Sequence, residues 1–166
     1  MEIRAPRPVE LDDVRAVMLA GYSEYAAWAG DDIWEEWSAE IADLESRTHE
    51  SRLIVAVDDE QIFGAVTYYP PGAGGGYDDS WPREWAGFRM LAVSPAAPGR
   101  GAGRTLVQAC IEAARADGAR TLALGTTEVM KFGRDLYERM GFVRDSTHDF
   151  YPVANILVFC YVMEVS

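Results

Sequence analysis

The chain predicts an α/β fold, a mixed sheet flanked by helices, and three observations carry that prediction. Apolar runs of strand length alternate with stretches whose apolar residues recur at helical spacing. Near the middle, the apolar run Phe88 to Val93 ends in a turn rich in glycine, and an amphipathic helix follows at once. After that helix comes another short apolar run, Thr121 to Gly125. A strand reached through a helix lies parallel to the strand before it, so the sheet has a parallel pair at its centre. The predicted order is β-α-α-β-β-β-α-β-α-β-β, in one domain spanning 1-166, since a chain of 166 residues is long enough for a single packed core.

Each element has its own reason. Ile3 to Arg7 is a short strand closed by prolines. Leu11, Val14, Val17, Met18, Gly21, Tyr22 and Tyr25 recur at helical spacing, and acidic residues crowd the first turn, where the helix dipole favours them. Trp28 to Asp32 reads as a break. Trp34, Trp37, Ile41 and Leu44 define a second helix running to about Thr48. Leu53 to Val57 and Gln61 to Tyr69 are strands around the turn Asp58-Asp59-Glu60, which makes a hairpin. Pro70 to Glu84 holds Gly72 and the run Gly74-Gly75-Gly76, and predicts a mobile loop. Trp85 to Val93 is the central strand. In the helix Thr105 to Ala116, Leu106, Val107, Cys110, Ile111 and Ala114 form the apolar face, and Gly118 is its stop. A shorter helix spans about Val129 to Met140, with Gly141 ending it. Phe142-Val143-Arg144 and Ile156 to Met163 close the sheet.

Composition narrows the function. A net charge of −12 disfavours nucleic acid, whose phosphates would be repelled, and suits a cationic partner such as an amine. No apolar run approaches the roughly 20 residues of a membrane helix. The start, Met1-Glu2-Ile3-Arg4, lacks the apolar core of a signal peptide, so a cytoplasmic protein is expected. Two cysteines make no disulfide framework, and no cysteine–histidine set has the spacing of a metal site, so no metal is expected.

The chemistry gathers at Val93-Ser94-Pro95-Ala96-Ala97-Pro98-Gly99-Arg100-Gly101-Ala102-Gly103-Arg104. The first N–H groups of a helix have no partner within it, and the dipole places partial positive charge there. Glycine lets a phosphate come close to the backbone. Arg100 and Arg104 add charge. A P-loop would end Gly-Lys-Ser/Thr, whereas this turn reads Gly-Arg-Thr, and G-x-G-x-x-G fails because Arg104 or Leu106 stands where the last glycine belongs.

What remains resembles the cofactor motif of the GNAT family of N-acetyltransferases, Gln/Arg-x-x-Gly-x-Gly/Ala after a strand ending Val-x-Pro. Gly101 and Gly103 match, and Val93-Ser94-Pro95 precedes them at the family's distance; Pro98 stands where the family has Arg or Gln. Leu136-Tyr137-Glu138-Arg139-Met140-Gly141-Phe142 resembles the family's Leu-Tyr-x-x-x-Gly-Phe segment, with Met130 and Gly133 in place of its upstream Asn and Ala. Residues 85 to 145 carry the likeness.

The resemblance implies the GNAT acyl-CoA N-acyltransferase fold and an acetyl-CoA-dependent N-acetyltransferase. Its acceptor would be a primary amine of a small molecule, or less readily a protein or peptide amine, attacking the thioester directly. Acetyl-CoA would be the co-substrate. Leu91, Ala92 and Val93 would pair with the pantetheine arm, and Gly99, Arg100, Gly101, Ala102, Gly103 and Arg104 would hold the pyrophosphate. Tyr137 would lie near the thioester sulfur as general acid, since a phenol can donate to a developing thiolate. Glu84, before the central strand, is the candidate base, with Glu128 beside it as another. His148 falls in a loop that in relatives borders the acceptor pocket. Tyr22, Tyr25, Trp28, Trp34 and Trp37, interleaved with Asp31, Asp32, Glu35 and Glu36, offer either a slot for a cationic amine or core packing. The resemblance leaves room for a homodimer. The alternative reading is a non-catalytic CoA-binding or regulatory module of the same fold.

Overall fold

The computed structural model describes residues 1–77, 79–96 and 98–166. In chain order its elements are β1 (Glu2–Arg4), α1 (Leu11–Tyr22), α2 (Ala26–Ala29), α3 (Asp31–Ala42), α4 (Leu44–Arg47), β2 (Arg52–Asp58) and β3 (Gln61–Tyr69). Then follow β4 (Ala86–Val93), α5 (Ala102–Ala116), β5 (Thr121–Thr126), α6 (Lys131–Met140), β6 (Val143–Arg144), β7 (Phe150–Val153) and β8 (Ile156–Glu164). The strands pair in the order β1-β2-β3-β4-β5-β8-β6, and β7 pairs with β8. β4 and β5 are parallel, while β1–β2 and β5–β8 are antiparallel, so the sheet is mixed as the sequence predicts. Two compact units divide the chain: residues 1–67 with 90–109, and residues 68–89 with 110–166.

In the first unit the predicted helices are more broken than their periodicity suggests. The expected break Trp28 to Asp32 contracts to Gly30, whose φ of +88° suits glycine and separates α2 from α3. Asp43 ends α3 and caps α4, accepting from the Ser46 amide at 3.2 Å. Arg47 is buried, and its guanidinium donates to the carbonyls of Glu40 and Ile41, two of the acceptors left over at the C-terminus of α3. β1 ends at Arg4 rather than Arg7, because Pro8–Glu10 forms a 3-10 turn. The Glu10 carboxylate ties that turn down, accepting from Arg4 Nη2 at 2.8 Å and from the Arg7 amide at 2.7 Å. The Arg4 contact first, and the amide second, lower its pKa to about 2. The β2–β3 hairpin turns on Asp59 and Glu60, with φ of +48° and +63°, the left-handed pair that two-residue hairpins require. Val14 and Met18 of α1, Ile41 of α3 and Val55 of β2 form the centre of this unit's core.

In the second unit the expected mobile loop is packed instead. Gly74 and Gly75 are buried, and Trp81 is 3% exposed. The segment bonds back across its own base: the amides of Gly72 and Gly74 donate to Arg83 O, and that of Gly75 to Trp85 O. It lies flat on β4 because both partners are glycines. A Cβ on Gly87 would stand 2.5 Å from Gly75 Cα. Composition alone reads such a run as unpackable; a glycine on the facing strand reverses that. A second departure is β7, which pairs Phe150 with Val158 of β8 and adds a strand the sequence pattern does not announce. Gly118 and Gly141 end α5 and α6 with φ of +78° and +102°. Leu106, Val107, Cys110, Ile111 and Ala114 of α5 are all buried as predicted, while Arg104, Gln108, Glu112 and Arg115 are exposed. Among the described residues no helix is long and apolar enough to cross a membrane.

Candidate active site

β4 is bent before the glycine turn, at Met90. Its registered pairs with β5 are Ala86↔Leu122, Gly87↔Ala123 and Phe88↔Leu124, and they end at Phe88. Two residues on, Met90 has φ +57°, a left-handed conformation that costs a non-glycine residue about 1–3 kcal/mol. Leu91, Ala92 and Val93 follow this bend and lie outside the β5 register. Ala92 is buried and clasped by glycines: a Cβ on Gly21 of α1 would meet its Cβ at 2.8 Å, and one on Gly64 of β3 would meet its carbonyl oxygen at 3.1 Å. Nothing in the sequence marks Met90 for a positive φ, so this bend is a feature that sequence reasoning misses.

Past Val93 the turn reaches α5. Ala97 lies outside the described residues. Gly99 and Gly101 both have φ +75°, and a Cβ on either would meet nothing within 4 Å among the described residues. The glycines are therefore set by backbone conformation and face open space, the form of a cradle for an incoming group. Gly101 O accepts from the amide and the hydroxyl of Thr105, at 3.0 and 2.8 Å. It thus acts as the helix cap, and α5 starts at Ala102, three residues earlier than its apolar pattern predicts. The amides of Ala102, Gly103 and Arg104 belong to the first turn, where donors have no intrahelical acceptor. The two arginines differ. Arg100 Nη1 donates to Asp58 Oδ2 at 2.8 Å, and its guanidinium lies 4.4 Å from the Phe63 ring centre, so part of its charge is answered by the hairpin. Arg104 is exposed, with no ion-pair partner among the described residues. The aromatic group of the first unit is split. Tyr22, Trp34 and Trp37 pack on the core, with Tyr25 stacked 6.4 Å from Trp37. Asp31, Asp32, Glu35 and Glu36 are exposed around them.

In the second unit Tyr137 sits on α6, 8% exposed, in a triangle of rings. Its centroid is 5.8 Å from Phe88 of β4 and 6.1 Å from Phe142, which are themselves 6.1 Å apart. Gly133, one turn earlier, leaves room for the ring: a Cβ there would stand 3.4 Å from Tyr137 Cε2 and 3.6 Å from its hydroxyl oxygen. Glu138 turns the other way and accepts from the Tyr161 hydroxyl at 2.9 Å. Glu84 is exposed in the turn before β4, and Glu128 is exposed after β5. Cys110 and Cys160 are buried; burial pushes the Cys110 thiol up, and raises Cys160 to about 12 together with Asp145 and Asp149. Neither is a nucleophile in that state. Among the described residues no group of His, Cys, Asp and Glu could hold a metal ion.

The other face of the β4–β5 pair carries a cluster that the sequence only hints at. Tyr77, Trp81 and Phe150 meet edge to face, with centroids 4.6 to 5.9 Å apart. Arg89 lies over the Tyr77 ring at 4.4 Å. The Trp85 ring is 4.7 Å from His148, and Trp81 Nε1 donates to the His148 carbonyl at 2.9 Å. His148 Nδ1 is 2.7 Å from Asp145 Oδ2. The one sequence signal for this arrangement is Asp145 three residues before His148 in a polar run.

Known proteins resemble this chain in family and in fold. The sequence model of the Acetyltransferase (GNAT) family matches residues 12–142. The PaiA N-acetyltransferase of Thermoplasma acidophilum, solved in complex with coenzyme A, has a TM-score of 0.71 at 15% identity, covering 96% of each chain. A ribosomal-protein-alanine N-acetyltransferase from Brucella melitensis gives 0.68 at 21% identity over 99% of each chain. A GNAT family acetyltransferase from Brucella melitensis in complex with acetyl-CoA gives 0.62 at 22%, covering 99% of this chain and 88% of that one. At these identities the likeness is one of fold. None of the curated proteins matches the chain in sequence.

Proposed function

The chain belongs to the GNAT acetyltransferase family, and on that premise we propose that it moves an acetyl group from acetyl-CoA to the primary amine of a small molecule, which attacks the thioester directly. The observation that carries the reading is the cradle at Gly99 and Gly101, two left-handed glycines facing open space and leading into the first turn of α5. First-turn amides have no acceptor within the helix, and the helix dipole favours a phosphate's charge there. The amides of Gly99 to Arg104 hold the pyrophosphate, and Arg104 adds an exposed cation. Leu91, Ala92 and Val93, beyond the bend at Met90, offer backbone groups to the pantetheine arm. Tyr137 protonates the thiolate as it leaves. Two of the similar structures, each solved with coenzyme A or acetyl-CoA, support the choice of cofactor. The net charge of −12 supports a cationic acceptor, drawn by long-range attraction.

Acetyl-CoA should raise the melting temperature of the protein. At a hundredfold excess over Kd the gain is about 2.7 kcal/mol. ATP and NAD should do little, because neither carries a pantetheine arm for Leu91, Ala92 and Val93. No shift with CoA or acetyl-CoA at high excess would remove the cofactor from this account.

A further inference from the structure

We propose that His148 is the base that takes the proton from the acceptor ammonium, with Asp145 as the positioning residue behind it. This rests on the acetyl-transfer reading above and replaces Glu84 as the base.

The first reason is preorganisation. Asp145 Oδ1 accepts from the Thr147 hydroxyl at 2.6 Å, while Oδ2 faces His148 Nδ1 at 2.7 Å. The backbone is pinned as well: the Asp145 amide donates to Cys160 O at 2.9 Å and the His148 amide to Asp145 O at 3.1 Å. Thr147 first, and then His148, hold the Asp145 carboxyl below its usual range, so it is an anion at neutral pH. A carboxylate only accepts, so it fixes the ring proton on Nδ1 and leaves the lone pair on Nε2. Nε2 has no hydrogen-bond partner among the described residues, and the His148 side chain is 32% exposed. An oriented imidazole with one open nitrogen is the arrangement a general base needs. The other charges of this loop are already matched, since Asp149 takes Arg144 and the Cys160 amide.

The second reason is placement. Along β4, Phe88 points to the Tyr137 face, while Gly87 lies against Gly75 on the opposite face, the one carrying Trp85 and His148. Tyr137 thus lies on one face of this strand pair and His148 on the other. An amine can then approach from the His148 side while sulfur receives its proton on the Tyr137 side. Trp85, partly exposed beside His148, borders the approach with aromatic surface, which attracts ammonium groups. Glu84 is exposed.

The step balances as follows. Nε2 takes one proton from the ammonium, and the freed lone pair forms the C–N bond to the acetyl carbon. The C–S bond breaks with its electron pair going to sulfur. Tyr137 gives its proton to the sulfur; the second proton leaves the new amide nitrogen to water, the Tyr137 phenolate takes one proton back from water, and His148 releases its own to solvent, so one proton is released per turnover.

The test measures free-thiol release with acetyl-CoA and the best acceptor from a pool of primary amines, and also with water alone as acceptor. His148→Gln keeps a donor for Asp145, so the fold should hold. Thiol release should fall by about 10²–10⁴, with the acetyl-CoA melting shift unchanged. Added imidazole should restore part of the rate in His148→Ala, after subtraction of its reaction without enzyme. Asp145→Asn should lose rate and Asp145→Glu should recover some of it, because a carboxylate again receives the Nδ1 proton. His49→Ala, at an exposed site, is the control. A wild-type rate in His148→Gln, or a loss in His148→Ala that imidazole leaves untouched, overturns the proposal. If acetyl-CoA still shifts the melting point in either case, only the base assignment fails. If acetyl-CoA gives neither shift nor thiol release, the acetyl-transfer reading fails and takes the base with it.

Discussion

Tyr137→Phe should lower turnover by about 10²–10⁴ while leaving acetyl-CoA affinity almost unchanged. The substitution keeps the ring among Phe88 and Phe142 and removes only the hydroxyl. A donor to the leaving sulfur is worth most when the thiolate forms, so its loss falls on the transition state rather than on binding. A purely packing role gives the opposite pattern. Tyr137→Phe would then turn over like wild type, and Tyr137→Ala would cost about 3–5 kcal/mol of stability, the usual price for removing a buried aromatic. Measuring kcat, acetyl-CoA affinity and melting temperature for both variants separates the two roles.

Gly101→Val should abolish most of the acetyl-CoA melting shift, through a loss of affinity of more than about tenfold, which is 1.4 kcal/mol. Two effects act together. At φ +75° a branched residue is strained, by about 1–3 kcal/mol, so the turn relaxes away from its cradle. A side chain that stays would project into the open space where a phosphate must come close. Gly118→Val is the matched control. It too has φ +78° with nothing within 4 Å of its Cβ, so it carries the same strain at the other end of α5. It should melt lower yet keep the full acetyl-CoA shift. Equal shifts in Gly101→Val and wild type, with both folded by circular dichroism, would place the phosphates elsewhere.

The parts of this chain legible in the sequence are those decided by neighbours along it. The apolar face of α5 shows in Leu106, Val107, Cys110, Ile111 and Ala114 because helical spacing brings them together, and all five are buried. The hairpin shows in Asp59 and Glu60, flanked by two apolar runs. The glycine turn shows because positive φ restricts the residue type there. The start of α5 is three residues early because apolar spacing says nothing of a helix's first, open turn.

What stayed hidden depends on residues far apart in sequence. Gly74-Gly75-Gly76 reads as a mobile run until Gly87, on a facing strand, lets it lie flush. The bend at Met90 has no signature, since methionine is not a residue that seeks positive φ. His148 gains its meaning from Asp145, which is near in sequence, and also from Trp81 and Trp85, which are not. Glu84 is a candidate base from its place before β4, and it is exposed.

The central claim is that acetyl leaves CoA and arrives on an amine. Its most direct measurement incubates the protein with acetyl-CoA and pooled primary amines, and reads free thiol alongside acetylated amine by mass spectrometry. The account predicts equal amounts of thiol and acetylated amine, both lost in Gly101→Val and both strongly reduced in Tyr137→Phe. A full acetyl-CoA melting shift with no thiol released above the enzyme-free rate would contradict it, and would make this chain a CoA-binding module without catalysis.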